Sequence, residues 1–580
     1  MAEIKEGLLK FIGENKLSPF SSSKALIKEK PEVDIFKTRD AKTVFNKVTS
    51  QISGYFCFSD TSNLLKFFGF TMDSKEIEKR QDFFKKIKWQ DNSFLRELKA
   101  PKQWWKPKYG IVVVTSDEKT FLELQKLECP VQFINSQDDV AGLEDYDIIQ
   151  VIDCNDFSSL LEQLPQTVFL NNMDEVYLER YLTILSGWKA DLEILQKNKT
   201  SAEVEGIVSE LVPLLKYLEE QPFEKISREH VEDKLDGINN YVSSEMKKIT
   251  LGGENLFAML HGGKMPAEVQ QIVDNAIEQS KIPPHLFKPS IPVAIDEQEL
   301  ERYMKKQDAE EFTEIVESVK KQVELLSSIP EKLQELSNLL IYYDFMAGIS
   351  GFMANAKDFP VLADELSFYG ARNVFLDDKA QPISFLLNNE NKCSILTGAN
   401  SGGKTTLLEH IIQLITLLQL GMPVNGKVKI PIFTEVYYFA KTKGSSSKGA
   451  FENLLSQMSS IKPGKRTLIL ADEIESVTEP GVAGKIISAT AEYFIEKGCF
   501  LVVATHLGHE IQKILPKYSR IDGIEAKGLN EKYELIVDHS PVLGKLANST
   551  PELIVEKLAS SKKDAYFKFI NEMLKRAKKQ

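Results

Sequence analysis

The run Gly398-Ala-Asn-Ser-Gly-Gly-Lys404-Thr405 constrains this chain more than any other feature. It satisfies G-x-x-x-x-G-K-[ST] and lies between an apolar run, Cys393-Ser-Ile-Leu-Thr397, and a helical one, Thr406-Leu-Leu-Glu-His-Ile-Ile. Strand, glycine loop and helix in that order make a phosphate cradle. The glycines let the backbone curl until successive N–H groups face inward, and the helix N-terminus adds its partial positive charge. Gly398, Ala399, Asn400, Ser401, Gly402, Gly403, Lys404, Thr405 and Thr406 are therefore the candidate ATP-binding residues. Lys404 is expected to neutralise the β and γ phosphates, and Thr405 to ligate Mg²⁺. A glycine turn without a ligand is the competing reading, and the flanking strand and helix count against it.

A buried-strand run, Thr467-Leu-Ile-Leu-Ala471-Asp472-Glu473, ends in two acids, the first of them 68 residues after Lys404. An Asp at a strand terminus can hold Mg²⁺ directly or through water, and the adjacent Glu can polarise the attacking water. A third apolar strand, Phe500-Leu-Val-Val-Ala504, ends in Thr505-His506, whose polar end can reach the γ-phosphate. The expected catalytic residues are Glu473, Lys404 and His506, and the expected metal ligands are Thr405 and Asp472. His410, His509 and the other four histidines keep a structural or surface reading.

At 580 residues the chain is long enough for about four domains. Residues 1–106 read as mostly helical, with Ile77, Phe84 and Ile87 on one face, and end in the linker-like Ala100-Pro-Lys-Gln-Trp-Trp-Lys-Pro107. Residues 107–172 alternate strand and helix: Tyr109-Gly-Ile-Val-Val-Val-Thr, the helix 118–127, Pro130-Val-Gln-Phe-Ile, Ile148-Ile-Gln-Val-Ile and Thr167-Val-Phe-Leu. That is the habit of a small parallel α/β module. Residues 173–356 carry almost only helical periodicity, with Val316, Val319, Val323 and Leu326 at spacings of three or four, as in packed rods. Residues 357–560 alternate apolar β-type runs with helices, predicting a doubly wound α/β domain. The tail, 561–580, is a basic amphipathic helix with Phe567, Ile570, Leu574 and Ala577 in phase, read as a packing or dimerisation element. The fold class is multidomain: a C-terminal α/β P-loop domain, a long all-α region and a small α/β insert.

These motifs resemble the MutS-type ATPases of DNA mismatch repair. The family's loop reads T-G-P-N-M-G-G-K-[ST], against Thr397-Gly-Ala-Asn-Ser-Gly-Gly-Lys-Thr405 here. Its acidic strand ends D-E, like Asp472-Glu473, and its third strand ends A-T-H, like Ala504-Thr505-His506. Phe368-Tyr-Gly-Ala-Arg372-Asn373 is similar to the family's G-R-H-P segment, and 339–354 to the helix leading from lever to ATPase. The resemblance covers 310–560 well, and 173–310 match lever and clamp helices by type. It implies an ATPase with ATP and Mg²⁺ as cofactors, ATP sites built from two subunits of a homodimer, and DNA as partner.

Three departures matter. Ala399 and Ser401 replace the family's Pro and Met. Where the trans-acting loop ends S-T-F in the family, Ser447-Lys-Gly449-Ala-Phe451 stands here, so the hydroxyl is missing at Gly449, with Ser446 or Ser447 as substitutes. Mismatch reading rests in the family on an N-terminal Phe-x-Glu wedge. The triplets here, Phe121-Leu-Glu123 and Phe312-Thr-Glu314, fall in predicted helices, so mismatch specificity is not expected. Nor is the C-terminal nuclease-like Smr domain of some relatives.

Charge bears on the partner. With 72 Lys and Arg against 84 Asp and Glu, the net charge is −12, which excludes a generally basic nucleic-acid coat. Local basicity remains: between Phe84 and Tyr109 eight basic residues face two acids, interleaved with Trp89, Trp104 and Trp105. Such a stretch can contact phosphates and stack on bases, or serve as a solvated linker with Trp anchors. A structure-selective DNA contact is the first expectation; RNA, the ribosome or a protein bound by the same arms is the alternative. Five dispersed cysteines without C-x-x-C give neither a disulfide framework nor a zinc site, and fit a reducing cytoplasm. The apolar stretch 410–424 is interrupted by Gln413, Gln419 and Gly421 and is shorter than the ~20 residues a bilayer needs, so no membrane association is expected.

Overall fold

The computed structural model describes residues 2–21, 33–100, 110–126, 130–164, 166–218, 226–250, 252, 265–320, 323–376, 380–398, 402–441, 448–473, 480–529, 535–547, 550–561 and 564–577. The chain forms two compact units. One comprises Met1–Leu98, Thr200–Val204 and Leu336–Gln580, and the other Lys99–Lys199 and Glu205–Glu335. Both are mixed α/β with parallel sheet.

The unit built on Lys99–Lys199 carries a four-stranded parallel sheet in the order Val131–Phe133, Ile111–Thr115, Ile148–Val151, Thr167–Phe169. Every residue of Ile111–Thr115 is buried, as expected for a parallel strand covered on both faces. Alternation then divides its side chains: Ile111 and Val113 join Ile148 and Tyr177 on one side, while Val112 and Val114 join Ile149 and Leu161 on the other. Farther along, the helices Arg228–Met246 and Ala267–Ser280 share a core in which Val231, Ile238 and Val242 meet Val273 and Ile277. The all-helical expectation for 173–356 misses one feature, a short antiparallel pair, Phe287–Lys288 with Ala294–Ile295. The stripe Val316 to Leu326 is also divided, between the helices Glu297–Lys320 and Val323–Ser327. Phe121 and Phe312 both lie in helices, Glu118–Gln125 and Glu297–Lys320.

The other unit is organised by a six-stranded sheet in the order Glu435–Phe439, Thr467–Asp472, Phe500–Ala504, Cys393–Gly398, Ser519–Leu529, Leu535–Leu543. The first five run parallel, and the last closes an antiparallel hairpin. Thr467–Asp472 and Phe500–Ala504 are buried throughout. Against one face pack Ile487, Ala491 and Phe494 of the helix Pro480–Glu496. The helix Lys404–Leu420 is buried at every position from Leu407 to Leu420 except Glu409, because the sheet covers one side of it and the helix Arg39–Ser53 another. A helix enclosed in this way is largely apolar on all sides, and this is the origin of the 410–424 stretch, with His410, Gln413, Thr416 and Gln419 as its buried polar exceptions. Gly421 ends it at φ 75°, where a Cβ would lie 2.3 Å from the Cβ of Arg80. Among the described residues, no helix is long and apolar enough to cross a membrane.

The N-terminal segment is built into this unit. Ile35 O accepts from Val436 N at 2.8 Å and Lys37 N donates to Val436 O at 2.9 Å, so the chain at Phe36 extends the sheet beyond Glu435–Phe439. The Thr38 hydroxyl accepts from Tyr438 N (2.9 Å) and donates to Tyr438 O (2.8 Å). Asp344, fully buried, accepts from Cys57 N, Phe58 N, the Thr61 hydroxyl and Asn92 Nδ2, all at 3.0 Å or less. At the other end of the chain, Phe567, Ile570 and Leu574 form the half-buried face of the helix Ala565–Ala577, which packs on Thr550–Ser561.

Candidate active site

In a parallel sheet the strands all end on one edge, and the expected site residues lie along that edge. Cys393–Gly398 leads into the glycine loop, and Gly403 precedes the helix Lys404–Leu420 at φ 94°. Gly398 has φ 138°, and a Cβ there would meet the carbonyl oxygen of Ile524 at 2.6 Å, so glycine is required both by conformation and by space. Ala399, Asn400 and Ser401 lie outside the described residues. Gly402 is buried, Thr405 exposed and Thr406 half-buried at the helix start.

Lys404, with a side chain 2% exposed, donates to Gly398 O at 2.7 Å and stands 3.9 Å from Glu473 Oε1. Thr405 Oγ1 donates to Asp472 Oδ2 at 2.5 Å. The other carboxylate oxygen, Asp472 Oδ1, is buried without a hydrogen-bond partner. Burial, reinforced by the charge of Glu473, pushes the Asp472 carboxyl above its usual range, while the Thr405 bond and the Lys404 and Lys441 charges oppose that shift.

An unsatisfied buried carboxylate oxygen is costly, about 1–3 kcal/mol or more for a charged group. A hard cation beside it would remove that cost. Among the described residues no group of three His, Cys, Asp or Glu is placed to hold a metal ion, so the protein offers a cation here one carboxylate and one hydroxyl. That donor set fits Mg²⁺, which retains waters and is usually held by one or two carboxylates together with substrate phosphates.

Glu473 sits just past the strand end at φ 47°, a left-handed conformation that non-glycine residues adopt at a cost. Its N–H bonds Ala504 O at 2.8 Å, which ties the acid to the neighbouring strand. Its Oε1 is 2.9 Å from His506 Nε2, and its Oε2 accepts from Lys441 Nζ. Burial would raise the Glu473 carboxyl, but the Lys441 and His506 hydrogen bonds, with the charges of His506 and Lys404, outweigh it and hold the group below the ordinary glutamate value.

The geometry thus brings Lys404, Thr405, Asp472, Glu473 and His506 together, and adds two residues that the sequence reading passed over. Lys441 follows the strand Glu435–Phe439 and belongs to no motif. His539 Nδ1 lies 2.9 Å from Gly402 O, and its backbone N–H donates to Gln381 Oε1 at 3.2 Å, so the hairpin strand Leu535–Leu543 flanks the glycine loop. Neither had a local signal: both reach the site through sheet register.

The other proposed contacts are dispersed. Ser446 and Ser447 lie outside the described residues, and Gly449 falls in the helix Lys448–Ser459. Of the basic stretch, Lys85 pairs with Asp82 at 3.0 Å and lies over the Phe359 ring, while Trp89 is 71% exposed. Lys102, Trp104, Trp105, Lys106 and Lys108 lie outside the described residues.

No family model matches the chain. It is similar to the DNA-binding protein MutS2 of Pyrococcus furiosus, 30% identical over 93% of this chain and 99% of that protein. It is 27% identical to the endonuclease MutS2 of Fusobacterium nucleatum over 36% of this chain and 28% of that protein. Against the DNA mismatch repair protein MutS of Thermotoga maritima it is 26% identical, over 36% of this chain and 27% of that protein.

Proposed function

The chain belongs to the MutS family, and from that premise we propose that it is a Mg²⁺-dependent ATPase whose nucleotide state switches a helical DNA-binding region. One observation carries the reading. A phosphate-type lysine, a hydroxyl paired with an unsatisfied Asp and a cation-held Glu all converge where the strands Cys393–Gly398 and Thr467–Asp472 end. In this reading 357–560 is a doubly wound P-loop domain, 1–106 supports it, 107–172 is an insert, 173–356 supplies lever and clamp, and 561–580 serves dimerisation.

Lys404 and the loop N–H groups, those of Ala399, Asn400 and Ser401 included, bind the phosphates. Thr405 and Asp472 would hold Mg²⁺, which supplies charge neutralisation at the phosphates when bound. Glu473 accepts the proton of the attacking water as its oxygen bonds to the γ-phosphorus and the bond to the β–γ bridging oxygen breaks, so that ADP leaves with that oxygen. His506, bonded to Oε1, orients the carboxylate. ATP sites completed by a second copy of the chain would couple hydrolysis to closure of a homodimer.

DNA is proposed as the partner because the relative that matches along nearly its whole length is named for DNA binding; mismatch specificity is not proposed. With a net charge of −12 the contact must be local. The test is binding of homoduplex, mismatched and branched DNA at several salt concentrations, with and without ATP. Salt-sensitive affinity for at least one form is expected. Binding of RNA or a protein with none of DNA would replace this partner, and absence of ATP turnover would remove the ATPase reading.

A further inference from the structure

Three nitrogen-bearing side chains converge on the single carboxylate of Glu473, while the sequence motifs account for two of them. Lys404 and His506 approach Oε1, at 3.9 and 2.9 Å, and Lys441 Nζ bonds Oε2. Lys441 is there by construction. The strands Glu435–Phe439 and Thr467–Asp472 run parallel with Phe439 beside Ala471, so two residues further along each chain Lys441 comes level with Glu473. The backbone leading to it is held from the N-terminal segment: the Thr38 hydroxyl grips both polar groups of Tyr438, and Asp40 Oδ2 accepts from Ala440 N at 3.0 Å. The side chain, 48% exposed, ends at the rim of the site, where Lys404 is enclosed.

A general base with cations on both oxygens is ionised but poorly placed to take a proton from water. Lys404 and Lys441 face Glu473 and Asp472 together; with Asp472 engaged by a cation, the two lysines would exceed the single charge of Glu473, and a dianionic phosphate matches that excess better than a monoanionic carboxylate does. Resting on the ATPase reading above, we propose that Lys441 is a second, cis-acting phosphate lysine, shared between Glu473 Oε2 and the terminal phosphate of ATP, and that its transfer to the phosphate frees Oε2 for the attacking water. Lys441 thereby distinguishes ATP from ADP within one subunit, and the N-terminal segment sets its reach.

The discriminating measurement is calorimetric binding of ADP and of a non-hydrolysable ATP analogue, each with Mg²⁺, to the full chain and to Lys441→Met and Lys441→Arg. The Met variant is expected to lose roughly 10- to 100-fold in affinity for the analogue, the range of one charge-assisted hydrogen bond. Its ADP affinity should stay within about twofold of the wild type, since the β-phosphate is Lys404's. Arg should restore most of the difference, and Asp40→Ala, which loosens the approach, should lose a smaller part of it. An equal loss for both nucleotides, no loss for either, or no recovery with Arg overturns the proposal while leaving the ATPase reading intact. A wild-type chain that binds neither nucleotide overturns both.

Discussion

Among the described residues, a wholly parallel four-stranded sheet and a six-stranded sheet with five parallel strands each have an acid in the left-handed conformation just past a strand end. In the four-stranded sheet it is Asp153, at φ 49°, after Ile148–Val151; in the six-stranded sheet it is Glu473, at φ 47°, after Thr467–Asp472. The backbones are alike, and the polar surroundings are not. Asp153 O accepts from Ser116 N at 3.3 Å and Asp153 Oδ2 from the Thr120 hydroxyl at 2.7 Å, while Asp117 caps its helix by accepting from Thr120 N at 2.8 Å. Every hydrogen-bond donor to Asp153 there is a neutral group of the one segment 115–120. Glu473 is held by Lys404, Lys441 and His506, from three separate segments, and its neighbour Asp472 keeps an oxygen unsatisfied. On the proposed reading, the strand-end acid beside leftover valences serves as the reaction centre, and the one without them as a loop staple.

The largest expected effect follows from that contrast. Glu473→Gln preserves shape and the αL backbone but cannot take a proton, so ATP turnover should fall about 10²–10⁴-fold, the range of general-base catalysis, with ATP binding retained. Steady-state phosphate release and nucleotide binding, measured together, check both halves. Turnover within tenfold of wild type would remove Glu473 as the base and reduce the two acids to the same kind. Next in size is Asp472→Asn, which keeps a partner for Thr405 while discarding the charge that faces a cation. The Mg²⁺ concentration for half-maximal turnover should rise at least about 10- to 100-fold, a loss that even outer partners of metal ligands cause. An unchanged Mg²⁺ requirement would show that Oδ1 is not the ligand.

What could be read in advance tracks the distance over which each feature is encoded. The glycine loop, the two acids and His506 are contiguous signals beside apolar strands of five or six residues, and the parallel strands from Ile111 to Phe169 announce themselves by β-branched runs. Contacts set by register have no such signature. The bond from Thr38 to Tyr438 spans 400 residues and that from Cys57 to Asp344 spans 287, so nothing local in 1–98 indicates that the segment extends the sheet or anchors the helix Ile329–Met353. Lys441 and His539 are invisible for the same reason: their neighbours are chosen by strand pairing and by a hairpin, not by spacing. The short pair at Phe287 and Ile295 escapes because two-residue strands have no periodicity to detect.

A smaller effect separates the sheets by pH. The six-stranded sheet's loop helix carries His410, which is fully buried, and burial lowers its pKa from 6.5 to about 4. The folded unit therefore binds fewer protons than the unfolded chain between those values. Stability is unaffected above about pH 6.5 and falls as pH drops toward 4, by ~3 kcal/mol at the bottom of the window. Thermal unfolding at pH 7, 6, 5 and 4.5 should show this decline, and His410→Met should flatten it. The Glu473 ion pairs act in the same direction but lower: a carboxyl held below its ordinary value contributes above that value and loses the contribution only as pH falls through the depressed one. A curve as steep in His410→Met as in wild type would assign the acid sensitivity elsewhere.

The smallest effect is the one on which the comparison depends most. Asp153→Asn retains an oxygen for the Thr120 hydroxyl and leaves the carbonyl that Ser116 uses, and Asn tolerates the left-handed region nearly as well as Asp. Stability should change by no more than about 0.5 kcal/mol, and ATP turnover by less than twofold. Asp153→Val at the same position adds a β-branched side chain at positive φ and removes the acceptor, so its cost should rise to roughly 1–3 kcal/mol with turnover still intact. Denaturant unfolding and phosphate release on the two variants are sufficient. If Asn at 153 lowered turnover tenfold, the four-stranded edge would be chemically engaged, and neutral partners would no longer mark a strand-end acid as structural.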